Sequence, residues 1–333
     1  MSQVIRWGIL GCGKIARKFA SDLQFVTNAQ LNAVAAREQV TADLFAKDFP
    51  VKNIHGSYLA LAQNPEVDVI YVATPHALHY EHVKLCLENG KAVLCEKAFT
   101  VDLREAKELV DLARREKVFL MEAFWTRFLP HYQKTKELIA EGKVGSVKYI
   151  SAEFGFKPTP PVSQRIYDPA LGGGSLLDVG VYPVFLALDI LGRPDHVAAI
   201  MAAAPSGVDD QCSIRFEYKN GAIAHLFSSF AANLATGADI AGELGRIRMT
   251  HRFHGPTTQL EYYTGTVDTR QIIDFEKAKG SGYEYEAQHV TECLQKGLSE
   301  SPVRKLNDTL LLMEMLDEIR LKAGIKYPAD WSS

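Results

Sequence analysis

Apolar runs alternate with helical periodicity through the first 123 residues. Val4–Leu10, Ala29–Ala36, Val67–Ala73, Ala92–Cys95 and Val118–Met121 read as strands. Val67-Asp-Val-Ile-Tyr-Val-Ala73 is almost uniformly apolar, as a parallel strand buried on both faces is. Helices are predicted between them, over Val40–Phe49, about His76–Glu88, and from an Asp102 cap to about Glu116. In the last of these, Leu103, Ala106, Leu109, Val110 and Ala113 share one face. This alternation predicts an α/β fold with a doubly wound parallel sheet. The pattern changes after Phe124. A helix over about Leu129–Glu141 and a strand over Val147–Phe156 precede a Pro- and Gly-rich stretch, Lys157–Gly174, that reads as a long loop. A helix over about Leu177–Leu191 follows. Strand-like runs come next, at Val197–Ala204, Asp210–Tyr218, Ala222–Phe230, Arg246–Met249 and about Gln259–Tyr263, with a hairpin signal at Lys219-Asn-Gly221. Helices over about Tyr283–Lys296 and Asp308–Ala323 end the chain. The expected domains are 1–123 and an α+β domain, 124–333, whose sheet is mostly antiparallel and whose final helix packs back on the first.

Composition narrows the class. The 333 residues are 47% hydrophobic and 23% charged with a net charge of −3, an ordinary globular balance without a basic surface for nucleic acid. The start shows no secretory pattern, and no apolar run is read as a membrane span, since Val179–Leu191 carries Pro183 and Asp189. The five scattered cysteines read as free thiols in a reducing cytoplasm.

The first strand runs into Gly11-Cys-Gly13-Lys14-Ile15-Ala16, spaced G-x-G-x-x-A. This is the dinucleotide fingerprint of a Rossmann domain: a tight turn at Gly11, close pyrophosphate approach at Gly13, and a small residue at Ala16 where helix meets strand. Lys14 and Ile15 open the helix whose N-terminus receives the anion. After the second strand an NAD site would place Asp or Glu on the ribose. Arg37 stands there, and a guanidinium fits a 2′-phosphate, so NADP is expected over NAD. Thr74-Pro-His76-Ala-Leu-His79-Tyr-Glu-His82 follows the third apolar strand. His76 and His79 are expected to face cofactor or substrate and His82 to be partly exposed, with no metal. The strand Ala92–Cys95 then hands Glu96 and Lys97 to the same edge. Lys97 can hold a substrate hydroxyl near the nicotinamide, or act as base if its pKa falls.

Together, Gly11-Cys-Gly13, Thr74-Pro-His76-x-x-His79 and Gly90-Lys-Ala-Val-Leu-Cys-Glu96-Lys97 resemble the glucose–fructose oxidoreductase/inositol dehydrogenase/rhizopine catabolism (Gfo/Idh/MocA) family. Gly172-Gly-Gly174-x-Leu-Leu-Asp178-x-Gly-x-Tyr182 and Tyr285-Glu-Ala-x-His289 extend the likeness nearly end to end. The resemblance implies a Rossmann domain, a second domain on an open mixed sheet, and NAD(P)-dependent oxidoreduction of sugars or polyols. It carries the family lysine onto Lys97, with Ala98 in place of the usual proline. Met121-Glu-Ala-Phe-Trp125-Thr-Arg127-Phe and Glu153-Phe154-Gly-Phe resemble the family's dihydrodiol dehydrogenase subgroup. That implies Trp125 and Phe154 in the substrate pocket, with His76 and His79 near it.

Asp178 and Tyr182 are four apart and are expected to share a helix face. Pro183 is tolerated only in a first turn, so the helix starts nearer Tyr182 or kinks there. Tyr182 is assigned as general acid/base, Lys97 as its electrostatic partner and Asp178 as orienter or substrate contact. The resulting expectation is hydride transfer between nicotinamide and a secondary alcohol or carbonyl of a sugar, polyol or trans-dihydrodiol. The site is expected between the domains, in a cytoplasmic homodimer paired through the outer sheet face. The alternative is a non-catalytic NADP-sensing regulator of the galactose-repressor type; a tetrapyrrole reductase would not need the Lys/Tyr pair. Gly172-Gly-Gly174 reads as flexibility before the catalytic helix, and His251-Arg-Phe-His254 as a surface turn.

Overall fold

The computed structural model of the protein describes residues 3–160, 164–265 and 269–327. The chain divides into two compact units, Met1–Phe128 with Ala278–Leu310, and Leu129–Lys277 with Leu311–Ser333. The first unit therefore takes in a late segment that a single linear boundary assigns to the second.

In the first unit the elements run β1 (Ile5–Leu10), α1 (Lys14–Leu23), β2 (Ala29–Ala35), α2 (Gln39–Asp48), β3 (Asn53–His55), α3 (Tyr58–Ala62), β4 (Val69–Val72), α4 (His79–Glu88), β5 (Ala92–Glu96), α5 (Leu103–Glu116) and β6 (Leu120–Ala123). The six strands pair in parallel in the order β3-β2-β1-β4-β5-β6. The order reverses between β1 and β4, and ligands of doubly wound sheets bind at the carboxyl ends of the strands beside that switch. The short β3 and α3 were not legible as an apolar run or period. Asp102 caps α5 as expected, its Oδ1 accepting the Glu105 N–H at 2.8 Å. β6 begins two residues beyond the expected Val118, because the Val118 N–H is still occupied closing α5 against the Ala113 carbonyl.

The second unit runs α6 (Pro130–Ala140), β7 (Val147–Gly155), α7 (Gln164–Tyr167), α8 (Val181–Leu191), β8 (His196–Ala203), β9 (Asp209–Glu217), β10 (Ile223–Ser229), β11 (Ala238–Gly242), β12 (Gly245–Met249), β13 (Leu260–Thr264) and β14 (Gln271–Ile273). The eight strands are ordered β14-β13-β12-β11-β7-β10-β9-β8. Only β7 and β10 pair in parallel, so the sheet is mixed and largely antiparallel. α8 is assigned from Val181, so Pro183 is its third residue, and the helical backbone just upstream widens where the proline N–H is missing. A π-helical turn, Leu176–Gly180, leads into it. The helical stretch Pro169–Leu191 does meet the length and hydropathy of a membrane span, contrary to the reading from Val179; 78% of its apolar window is buried, as in a core helix. The stretch expected as one loop contains α7 and a short 3-10 turn, Pro169–Leu171.

α9 (Tyr283–Gln295) belongs to the first unit, and the division falls inside α10 (Leu306–Ala323). Tyr283, Ala287, Val290 and Cys293 of α9 join Trp7, Phe19, Tyr71 and Met121 in one buried cluster. The Trp7 indole N–H donates to Thr291 Oγ1 at 3.3 Å.

Candidate active site

The nucleotide edge is built from backbone. Gly11 has φ +96°, and a Cβ there would sit 3.0 Å from Thr74 Cγ2 and 3.3 Å from the Ala73 carbonyl. Only glycine meets both demands. Gly13 is exposed, and a Cβ on it would meet nothing within 4 Å. That open space lies over the start of α1, where Lys14 is exposed and Ile15 half-buried. No acidic side chain occupies the helix's first turn and no side chain caps it. Free N–H groups facing open space at a helix N-terminus suit a pyrophosphate. Arg37 is exposed just beyond β2 and makes no ion pair with another described residue. The residues present therefore fit a dinucleotide.

Glu96 ends β5 and Lys97 follows it, half-buried. The Tyr71 hydroxyl of β4 donates to Glu96 Oε1, and the Lys97 N–H reaches Glu96 Oε2 at 3.2 Å. Burial pushes the Glu96 carboxyl up, opposed by the Lys97 charge and the Tyr71 hydrogen bond. Glu96 is thus turned inward as the support of this corner rather than outward onto a cofactor. His79 is corrected too. It is 1% exposed, with Nδ1 2.9 Å from the Ala98 carbonyl and Nε2 2.8 Å from the Thr74 carbonyl. Burial and the adjacent His76 ring pull its pKa down to about 3, so the ring is neutral. It lies between the loop after β5, whose Lys97–Ala98 peptide is cis, and the turn after β4, and its single N–H donates to one of these two carbonyls. His76 is buried, its ring edge-on to His79 at 6.5 Å. His82 is half-buried with Nδ1 3.0 Å from the Thr74 hydroxyl. Trp125 is half-buried and stacks on Tyr283 at 4.5 Å and 11°, so one of its faces belongs to the core.

In the second unit, Tyr182 lies in the first turn of α8 and Phe154 near the end of β7. Their rings are 5.6 Å apart. His254, expected on the surface, is 6% exposed; it stacks on Phe154 at 4.2 Å and lies 4.7 Å from the Tyr182 ring. His251 and Arg252 are exposed, but Phe253 is fully buried and its carbonyl accepts from His131 Nε2 at 2.9 Å, which draws the turn inward. Asp178 lies in the π turn, four residues before Tyr182, and meets Arg165 of α7 at 3.2 and 3.3 Å. Such a forked pair fixes the carboxylate. Gly172-Gly-Gly174 is buried: a Cβ on Gly173 would meet the Ile166 carbonyl at 2.8 Å, and Gly172 and Gly174 have φ +69° and +119°, so close packing and left-handed backbone, not flexibility, account for the glycines. Among the described residues no cluster of His, Cys, Asp or Glu could hold a metal.

Chemically, the first unit offers an anion cradle, a guanidinium and an ammonium at one sheet edge. The second offers a phenol among apolar rings, able to give or take a proton. A bound nicotinamide supplies hydride acceptance or donation at its C4.

Residues 5–124 match the oxidoreductase family with an NAD-binding Rossmann fold, and residues 132–248 match the GFO/IDH/MocA C-terminal domain. The chain is 37% identical to trans-1,2-dihydrobenzene-1,2-diol dehydrogenase of Xenopus tropicalis, over 97% of this chain and 99% of that protein. The human protein of that name is 35% identical, over 98% and 99%. Among solved structures, a 3-ketoreductase from Actinomadura kijaniata in complex with NADP and TDP-benzene is 27% identical, with a TM-score of 0.85 over 96% of this chain and 98% of that one. An aldose-aldose oxidoreductase from Caulobacter crescentus shares the fold, at 21% identity and a TM-score of 0.88 over 97% and 98%. The chain is therefore an NAD(P)-dependent oxidoreductase rather than a regulator without turnover, and it belongs to the Gfo/Idh/MocA family.

Proposed function

We propose that this protein is an NADP-dependent dehydrogenase that moves hydride between nicotinamide and a secondary carbinol or carbonyl carbon of a trans-dihydrodiol, sugar or polyol. The observation that carries the reading is the carboxyl edge of the parallel sheet. Gly11 follows β1, Arg37 follows β2 and Lys97 follows β5, beside the switch in strand order. Exposed Arg37 favours the 2′-phosphate, and NADP is the cofactor of the ketoreductase relative. The dihydrodiol dehydrogenases similar along the whole chain point to the substrate class.

Lys97 serves as the cationic partner that holds the reacting oxygen, and Tyr182 as the group that exchanges its proton. Phe154 and His254 shield Tyr182 from water, and Arg165 holds Asp178 for orienting the substrate. From the first unit, His76 and the exposed part of Trp125 are the residues offered to the substrate. Turnover of trans-dihydrodiols and aldoses, followed at the nicotinamide absorbance with NADP and with NAD, tests the reading. Tyr182→Phe is expected to cut turnover about 10²–10⁴-fold with NADP affinity kept; full turnover would remove Tyr182 from the reaction. Arg37→Asp is expected to raise the NAD/NADP preference about tenfold or more, by loss of a charge-assisted pair. Unchanged affinities for both would leave NADP without its determinant.

The five free cysteines, four of them buried, support a reducing compartment such as the cytoplasm. The outer face of the second unit's sheet holds a shallow cavity of about 530 Å³ lined by Ser151, Glu153, Arg215, His225, Asp239 and Arg248. It supports pairing of two copies through that face, which light scattering would measure.

A further inference from the structure

The π turn Leu176–Gly180 is gripped from below by a buried polar chain that no part of the reaction uses. Asp209, the first residue of β9, is fully buried. Its Oδ2 accepts the Leu176 N–H at 2.6 Å and the Ser175 hydroxyl at 2.8 Å. The Ser175 oxygen lies 2.8 Å from the Ser228 hydroxyl of β10. Since Ser175 gives its proton to Asp209, Ser228 donates to Ser175. The backbone is shaped to admit this chain. Gly174 has φ +119°, and a Cβ on it would fall 2.1 Å from Asp209 Oδ1. A Cβ on Gly180 would lie 3.0 Å from Ser228 Oγ. The turn is thus fastened at its start by Asp209 and packed at its end on Ser228, with Asp178 between them and Tyr182 immediately after.

We propose that Asp209 is a positioning residue for Tyr182: its buried carboxylate, holding the Leu176 N–H and the Ser175 hydroxyl, keeps the wide turn in place. The turn in turn aims Asp178 at Arg165 and Tyr182 at Phe154 and His254. A helix start needs no buried acid, because a serine hydroxyl suffices as a cap. Burial pushes the Asp209 carboxyl up to about 6, against the hydrogen bonds from Ser175 and Leu176. An ionised carboxylate is kept here at a cost to the fold. What it returns is two charge-assisted hydrogen bonds that set one helical register.

The inference rests on Tyr182 as the proton-exchanging group, so the test is a double-mutant cycle. Turnover, substrate KM and NADP affinity are measured for the full chain, for Asp209→Asn, for Tyr182→Phe and for both together. Asp209→Asn is expected to lower kcat about tenfold or more, with NADP affinity unchanged and a native circular dichroism spectrum. In the Tyr182→Phe background the same substitution is expected to cost less than twofold, because the group it positions is gone. Losses that multiply, or an Asp209→Asn enzyme with full kcat beside a crippled Tyr182→Phe enzyme, overturn the role of Asp209 alone. Full turnover of Tyr182→Phe overturns both readings. If Asp209→Asn does not fold, Ser175→Ala carries the cycle. A kcat loss of about three- to tenfold that vanishes without the Tyr182 hydroxyl supports the proposal, and one that persists refutes it.

Discussion

The two halves of the chemistry are made in different ways. In the first unit the functional positions follow one another at the ends of neighbouring parallel strands: Gly11 after β1, Thr74 after β4, Lys97 after β5. The cradle is backbone, and the features that matter are a positive φ at Gly11 and empty space over Gly13. In the second unit Phe154, Tyr182 and His254 come from a strand, a helix and a turn far apart in the chain, and side-chain packing alone brings their rings within 4.2 to 5.6 Å of each other. A cofactor shared by many reactions is met by main-chain geometry that tolerates few changes. Substrate recognition is left to side chains that exchange more freely.

That contrast can be broken by experiment. The largest effect on the cofactor is expected from Gly13→Val. A Cβ there meets nothing within 4 Å, so the side chain fills the open space over α1 and NADP affinity should fall on the order of 100-fold, about 2.7 kcal/mol, while the melting temperature holds. Retained affinity would mean the pyrophosphate lies elsewhere. A smaller and complementary change is expected from His254→Ala. Loss of stacking on Phe154 and of the contact with Tyr182 should lower kcat/KM for substrate about tenfold, leaving NADP affinity untouched. If cofactor affinity fell equally, the division of labour would be wrong.

The smallest predicted effect concerns stability, and again separates the units, because the first carries a buried acid with no functional partner. Glu286 is fully buried and neither carboxyl oxygen has a hydrogen-bond partner among the described residues. Burial, then Glu96 and Asp22, hold its pKa well above the usual carboxylate range. A raised folded-state pKa contributes stability that is complete below the unfolded value near 4.5 and is lost as pH rises through the folded value. Glu286→Gln should therefore stabilise the protein by roughly 1–2 kcal/mol at pH 7, with the gain shrinking toward pH 4.5. Denaturation midpoints at the two pH values check this, and a gain that is the same at both would contradict it.

Legibility in the sequence followed the same divide. The β1 turn, Arg37, Glu96-Lys97 and the parallel alternation are local patterns, so they are visible without tertiary structure. β11 is not, since Ala238-Asp-Ile-Ala-Gly242 is built largely of small residues and gains its place by pairing with β7 and β12. The burial of His254 depends on Phe253 being drawn inward, and the Asp178–Arg165 pair joins a helix to a turn 13 residues apart; neither has a periodic signature. His79 shows the converse. Its spacing from His76 suggests a ligand-facing pair, and only tertiary structure shows the ring buried between the carbonyls of Ala98 and Thr74.

The discontinuous first unit has a consequence for how the chain comes into being. Trp7, near the start of synthesis, is completed by Thr291, and the core around Phe19 and Tyr71 is completed by Tyr283, Ala287 and Val290. The nucleotide fold thus leaves the ribosome early but must wait, one flank uncovered, until nearly the whole message has been read. The second unit's sheet is contained within Leu129–Lys277 and is complete by then. The second unit as a whole also takes in Leu311–Ser333, so both units are expected to finish folding only when the end of the chain has been made. A chain truncated after Lys277 should lose protease protection in both units, and one truncated after Leu310 in the second unit alone.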